Sequence, residues 1–139
     1  MATHRIVESL TAEQISDLVK LYQNEFWCNQ RVYPDVVKML EATSLVIGVV
    51  DDRDRLIAFT RVLTDFVYRA SLFDVIVKPS HRQQGLGALL LDTVVNHPKL
   101  QTIEYFDLFC LPEMIPFYEQ WGFSANSTHT LHMRRVRHS

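Results

Sequence analysis

The stretch from Leu72 to Val95 reads LFDVIVKPSHRQQGLGALLLDTVV and decides the fold. It predicts an apolar strand, a short polar turn with Gly85 and Gly87, and an apolar helix. A glycine inside a helix costs about 1 kcal/mol relative to alanine, so two glycines in a first helical turn indicate close approach to the backbone. The N–H groups and the positive dipole end of a helix N-terminus bind phosphate. The turn therefore predicts a phosphate site.

The spacing of the glycines separates this turn from other phosphate-binding turns. A Walker loop places four residues between its glycines and then Lys and Ser or Thr, whereas only Leu86 separates Gly85 from Gly87 and Ala88 follows. The dinucleotide fingerprint fails because Leu90 stands where its third glycine belongs. What remains is RQQGLG at positions 82–87, preceded by VIVKP at positions 75–79.

This pattern resembles motif A of the GNAT superfamily of acetyl-CoA-dependent N-acetyltransferases. In that motif a strand ending V-x-P is followed by Arg or Gln, two residues, Gly, any residue, and Gly or Ala. A second segment, FYEQWGF at positions 117–123, resembles the F-Y-x-x-x-G-F signature on the last helix of the same fold. Two motifs in the order that the family has are more specific than either motif alone.

Length and composition are those of one globular domain spanning residues 1–139, with 47% hydrophobic and 22% charged residues. The net charge of −2 gives no electrostatic reason to expect nucleic acid or an anionic membrane as a partner. The N-terminus lacks the pattern of a signal peptide, so we expect cytoplasmic residence. We expect Cys28 and Cys110 to be free thiols, and no Cys/His spacing indicates a metal site.

Periodicity and turn residues predict a strand, two helices, three strands, and then a helix, a strand, a helix and a strand. The expected elements are a strand at 4–8, a helix from the Thr11–Gln14 capping box with an apolar face reaching Phe26, a helix from Pro34, a hairpin of 45–50 and 56–63, a strand from Ser71, a helix at 85–96, a strand at 103–111, a helix at 112–121 and a last strand at 129–136. This is an α+β fold, a mixed and mostly antiparallel sheet with helices on both faces and one parallel strand-helix-strand unit. The GNAT fold has the same order.

The resemblance implies acetyl-CoA as co-substrate. In the family, the strand before the glycine turn and the strand after its helix splay apart, and the pantetheine arm lies in the gap. The backbone contacts with that arm then fall on Val75, Ile76 and Val77. The resemblance assigns the pyrophosphate to the backbone amides of Gln83, Gln84, Gly85, Leu86, Gly87 and Ala88. Arg82 would hold the turn or the phosphates.

Tyr118 is the candidate general acid. The departing CoA thiolate needs a proton, and a phenol with a pKa near 10 is protonated at neutral pH. The alternative is a core residue, because Met114, Phe117, Tyr118 and Trp121 recur at helical spacing.

Asp74 is the candidate general base. A carboxylate within an apolar strand is costly to bury when it is unpaired, so its presence there indicates a function. The alternative is a structural Asp74 paired with an arginine such as Arg61. Weaker candidates for the base are Asp65, Glu104 and Asp107. Cys110 is expected to be a small buried residue rather than an acetyl-carrying nucleophile.

The resemblance places one wall of the acceptor site between Trp27 and Tyr33. Arg31 could pair with a carboxylate on the acceptor and Trp27 could stack on its amine, or these residues could only pack at helix ends. We therefore expect direct acetyl transfer to a primary amine of a small molecule in a ternary complex. The alternatives are a protein amine, another acyl donor, a CoA-binding sensor without transfer and a scaffold without CoA. The sequence leaves open whether the chain forms a homodimer.

Overall fold

The computed structural model describes residues 3–125 and 129–137. The chain forms two compact units, Met1–Phe109 and Cys110–Ser139. The elements of the first unit are β1 (Arg5–Val7), α1 (Ala12–Gln23), α2 (Tyr33–Glu41), β2 (Leu45–Val50), β3 (Leu56–Thr64), β4 (Arg69–Val77), α3 (Leu86–Val95) and β5 (Tyr105–Leu108). The second unit contains α4 (Ile115–Glu119). Within the described residues, no helix combines the length and the apolar character needed to span a bilayer.

The first unit is built on one sheet with the strand order β1-β2-β3-β4-β5. Neighbouring strands are antiparallel except β4 and β5, which are parallel and are connected through α3. The α+β fold with a single parallel strand-helix-strand unit is thus confirmed. A parallel pair needs a crossover connection, and the glycine turn is the start of that crossover.

Two helical layers cover the sheet. On one face Leu18 and Tyr22 of α1 and Val36 of α2 form a buried cluster with Phe59 and Ile76 of the sheet. Strand residues that alternate with these point to the other face, where α3 contacts β2, β3 and β4. The residues that α3 buries are Leu86, Leu90, Leu91 and Val94.

The first helix begins as expected and ends earlier than expected. The Gln14 N–H donates to Thr11 Oγ1 at 3.2 Å, and Gln14 Oε1 accepts from the Thr11 N–H at 3.0 Å, which completes the capping box. The prediction that the apolar face reaches Phe26 is wrong, because Asn24 caps the helix and the Phe26 side chain is 75% exposed. Apolar residues at helical spacing do not predict a helix beyond the residue that caps it.

The predicted strand at 129–136 is also wrong, since this segment lies within the described residues and contains no strand. Leu131 and Met133 are each 92% exposed. Alternating apolar residues form a strand only when one face is packed and an edge is paired, and neither apolar side chain is packed here.

Candidate active site

A bulge interrupts the middle of β4. Phe59 pairs with Ile76 and Arg61 pairs with Phe73, so Thr60 of β3 lies opposite both Asp74 and Val75. Asp74 has a φ of 58°, a conformation that a non-glycine residue keeps only when its surroundings hold it. A bulge of this kind bends a strand and redirects its groups.

Beyond its pairing with β5, the edge of β4 that faces away from β3 has no strand partner among the described residues. The parallel pairing with β5 runs only to Leu72 and Leu108, whereas β4 continues to Val77. The Lys78 N–H donates to the Ile57 carbonyl at 2.8 Å, which makes Ile76 the hydrogen-bonded partner of Phe59.

The same alternation decides which backbone groups of β4 reach the open edge. The amide and carbonyl of Ile76 face β3, and those of Val75 and Val77 face away from β3. The resemblance places the pantetheine arm beside the backbone of Val75, Ile76 and Val77. Two of these three residues, Val75 and Val77, have backbone groups on the open edge of β4.

The glycine turn presents unpaired N–H groups. Gln83 and Gly85 have φ values of 64° and 79°, and Gly85 is the N-cap of α3, which has no side-chain cap. The first hydrogen bond of the helix runs from the Leu89 N–H to the Gly85 carbonyl at 3.0 Å. The N–H groups of Leu86, Gly87 and Ala88 therefore have no partner within the helix. A Cβ at Gly85 would meet no atom of the described residues within 4 Å, so open space lies beside Gly85 at this helix end.

The Arg82 side chain forms two hydrogen bonds that connect the glycine turn to other segments. Its Nε donates to the Val77 carbonyl at 3.3 Å and its Nη2 to Glu25 Oε1 at 3.2 Å. The side chain thereby joins the turn to the end of β4 and to the segment after α1.

Asp74 is the centre of a buried polar network. Its Oδ2 accepts hydrogen bonds from Tyr22 Oη at 2.8 Å, Arg61 Nε at 2.7 Å and Arg31 Nη1 at 3.0 Å. The pairing of Asp74 with Arg61, one of the two alternatives from the sequence, is therefore present. The second arginine and the tyrosine were not expected, because they lie in distant parts of the chain.

The network shifts the pKa values of its members. Burial, then the charge of Asp74 and its hydrogen bond, raise the pKa of the Tyr22 phenol well above its usual value. Burial acts to lower the pKa of Arg31, but the adjacent Asp74 carboxylate outweighs it and the net pKa is raised. Tyr22 therefore keeps its proton and Arg31 its charge at neutral pH.

A cleft of about 240 Å³ adjoins the network and is lined by Arg31, Asp35, Val36, Met39 and Arg61. Of the three acceptor candidates from the sequence, only Arg31 lines it. The Arg31 Cζ lies 4.5 Å from the ring centre of Tyr22 and 5.7 Å from that of Trp27, so Trp27 contacts Arg31 without lining the cleft. Tyr33, at the first residue of α2, is not part of the lining.

Sequence reasoning missed the wall that α2 contributes to this cleft. Asp35 and Met39 are four residues apart in the sequence, and Val36 and Met39 are three apart. That spacing places them on one side of a helix and could have marked them as a common surface.

Tyr118 lies in the second unit and is the buried residue of α4, 8% exposed. Its ring makes edge contacts with Phe117 and Phe123, at centroid distances of 5.0 and 6.3 Å. Burial, and then the neighbouring Cys110, raise its pKa to about 12. The phenol is thus fully protonated at neutral pH, as a proton donor must be.

The remaining candidates occupy other settings. Asp65 Oδ1 accepts from the N–H groups of Val67, Tyr68 and Arg69, which lowers the pKa of Asp65 and closes a turn. Both cysteines are free thiols, as expected, but Cys110 is exposed rather than buried because it follows the end of β5. No group of side chains suited to hold a metal ion occurs in residues 3–125 and 129–137.

Comparison with known proteins gives consistent results. The acetyltransferase (GNAT) domain family matches residues 43–125. An uncharacterized N-acetyltransferase, ycf52, from Porphyra purpurea is 27% identical over 76% of this chain and 65% of its own length. A ycf52-like N-acetyltransferase from Prochlorococcus marinus is 33% identical over 78% of this chain and 61% of its own length. The chain thus spans less than two thirds of these relatives.

A solved structure supports the fold over nearly the whole chain. A protein from Xanthomonas campestris pv. campestris that is assigned to the GNAT family superposes with a TM-score of 0.85 and 29% sequence identity. The superposition covers 98% of this chain and 95% of that protein.

Proposed function

Because this chain belongs to the GNAT acetyltransferase family, we propose that it transfers the acetyl group of acetyl-CoA to a primary amine of a small molecule. The observation that carries the proposal is the turn before α3. Its N–H groups at Leu86, Gly87 and Ala88 have no partner within the helix, and the position of a Cβ at Gly85 lies in space that the described residues leave open. This combination suits a pyrophosphate.

The open edge of β4 supports the same proposal. The backbone groups of Val75 and Val77 that face away from β3 suit the amides of an extended pantetheine arm, which would add to the sheet in the manner of a short strand. The bulge at Asp74 and Val75 turns the strand beside the place where this arm would end. The residues present therefore fit acetyl-CoA.

The reaction that we propose is direct attack in a ternary complex. The neutral amine nitrogen forms a bond to the thioester carbonyl carbon, the carbon–sulfur bond breaks, and the thiolate takes a proton while the amine loses one. The family motif assigns the proton donor to Tyr118. For the base we keep Asp74 as the candidate, and only its Oδ1 is left for that task because Oδ2 already accepts three hydrogen bonds.

Calorimetric titration tests the proposal at its first step. We expect saturable binding of acetyl-CoA and of CoA and no comparable binding of ATP, because ATP lacks the pantetheine arm. Absence of acetyl-CoA binding would reject the proposal. Binding without transfer to any amine of a broad panel would instead favour a CoA-binding sensor.

The role of Tyr118 has a separate test. Replacing Tyr118 by Phe should lower kcat by about 100-fold or more, which is the usual contribution of a positioned acid, and should leave the affinity for acetyl-CoA nearly unchanged. Tyr68→Phe is the matched control, since Tyr68 is an exposed tyrosine of the β3–β4 turn. Wild-type turnover of the Tyr118 variant would assign Tyr118 to the core alone.

A further inference from the structure

Arg31 and Arg61 approach one carboxylate and line one cleft. Arg31 donates to Asp74 through Nη1 and Arg61 through Nε. The described residues offer no oxygen acceptor to the other nitrogens of either guanidinium; Arg31 Nη1 also lies 3.9 Å from the sulfur of Met39. A guanidinium carries five N–H donors in a fixed fork. Most of these donors therefore remain for a ligand.

Both guanidinium groups are held in place by aromatic rings. The Arg31 Cζ lies over the ring of Tyr22, and the Arg61 Cζ lies 5.2 Å from the ring centre of Phe73. Stacking and the bonds to Asp74 fix the orientation of the forks before a ligand arrives, which lowers the entropic cost of binding.

The charges of this network do not cancel. Two guanidinium groups face one carboxylate, and the Arg31 and Arg61 side chains are only 32% and 13% exposed. A partly buried excess positive charge favours an anion. Asp35 also lines the cleft, but it is exposed and lies in the first turn of α2, where the helix dipole favours a carboxylate.

The size of the cleft limits what this anion can belong to. Its volume of about 240 Å³ lies below the range of roughly 300–1,000 Å³ for pockets that hold drug-sized ligands. Val36 and Met39 supply the apolar part of the lining. The cleft therefore suits an anionic group with a short aliphatic portion.

We propose that Arg31 and Arg61 bind the carboxylate of the amine acceptor, so that the acceptor is a small molecule of the amino-acid class. This inference rests on the proposed function. Asp74, which both arginines contact, directly precedes Val75, whose backbone faces the open edge of β4. An acceptor held by its carboxylate would thus have its amine beside the strand that would bind the acyl donor.

Matched pairs of acceptors test the inference. We would measure kcat/KM for glycine, β-alanine and γ-aminobutyrate, each against its carboxamide, with phosphoethanolamine as a phosphate-bearing amine. We expect the best acid to exceed its amide by about 10-fold or more, mainly through KM, because the amide leaves the forks without an anion. Arg31→Gln should bring this ratio close to one, and Arg31→Lys should restore only part of it.

Arg5→Gln is the control variant, because Arg5 also pairs with an aspartate, Asp54, at 2.6 Å but lies on β1, at the other edge of the sheet. Its acid-to-amide ratio should equal that of the wild-type protein. A ratio near one in the wild-type protein, or a ratio unchanged in Arg31→Gln, would overturn the inference. Preference for phosphoethanolamine over every acid would overturn the carboxylate assignment.

A binding measurement separates this inference from the proposed function. The Nε–Hε resonance of Arg31, assigned by its loss in the Arg31→Gln variant, is followed by NMR during titration with each acid and each amide. Chemical-shift changes on addition of the acids but not of the amides support the carboxylate site. If no acetyl transfer occurs in that case, the proposed function fails while the carboxylate site stands. Transfer to amides and acids alike, without acid-specific shifts, would refute the carboxylate site and leave the transferase intact.

Discussion

The glycine turn and the Asp74 network lie along the same strand-helix unit but are built from different parts of the chain. The turn offers backbone N–H groups within one contiguous segment, residues 82–88. The network joins side chains of Tyr22, Arg31, Arg61 and Asp74, which come from α1, the following loop, β3 and β4. A site made of backbone depends on local conformation, whereas a site made of side chains depends on how the elements pack.

Backbone strain shows the same contrast. Both Gly85 and Asp74 have positive φ values. At Gly85 the residue type itself removes the steric cost. At Asp74 the conformation is held by the hydrogen bonds of the side chain, so that the bulge depends on its three partners.

The largest effect is expected from placing a side chain in the turn. Gly85→Asn should weaken acetyl-CoA binding by about 100-fold or more, because the new side chain occupies the space in front of the N–H groups. Asparagine tolerates positive φ better than most residues, which limits the cost to folding.

Gly122→Asn controls for the strain at Gly85. Gly122 has a φ of 89°, and a Cβ there would also meet no atom of the described part of the chain within 4 Å. Calorimetry should show near wild-type affinity for this variant, and both variants should lose similar stability. Equal acetyl-CoA affinities of the two variants would contradict the phosphate turn.

Disruption of the Asp74 network should lower the stability of the protein. Asp74→Asn leaves two arginines without their carboxylate, and we expect a loss of about 2–4 kcal/mol in the free energy of unfolding. Asp54→Asn is closely matched, because Asp54 also has a positive φ, 61°, and pairs with an arginine. This second pair is exposed, so its loss should be below about 1 kcal/mol. Urea denaturation measures both values.

The Asp74 variant also tests the base. At a temperature where it remains folded, a loss of kcat of about 100-fold or more for an amide acceptor would assign Asp74 to proton transfer. A change confined to stability and to KM for carboxylate acceptors would make Asp74 the anchor of the two arginines. Equal stability losses in the Asp74 and Asp54 variants would contradict the importance of the network.

A pH-dependent effect is expected in alkaline solution. The pKa of Tyr22 is raised in the folded protein and that of Tyr118 is raised to about 12. Above pH 10 an unfolded tyrosine releases its proton while the folded one retains it, so the stability present below pH 10 is lost as the pH rises, by up to about 1.4 kcal/mol per pH unit for each group.

Tyr22→Phe isolates the contribution of Tyr22 to this loss, which comes from burial first and then from Asp74. The variant should show a smaller fall in its urea midpoint between pH 10 and pH 12 than the wild-type protein. An identical fall in both proteins would show that the pKa of Tyr22 is not raised in the folded protein.

Local patterns predicted much of this protein. The capping box at Thr11, the hairpin of β2 and β3, and the helix after Gly85 are present as expected, because each depends on neighbouring residues. The expectations that needed distant contacts failed at Phe26, at residues 129–136 and at Cys110. Cytoplasmic residence stays a prediction.

The sequence by itself determined the strand-turn-helix unit and its family, since glycine, proline and apolar spacing act through local backbone geometry. Only the tertiary structure decided which carboxylate meets which arginine, which backbone groups of β4 lie on an open edge, and which side chains line the cleft. Charged groups far apart in sequence meet only after the helices pack on the sheet. The physical reason is that hydrogen bonds between side chains depend on distances in space, and no periodicity along the chain records those distances.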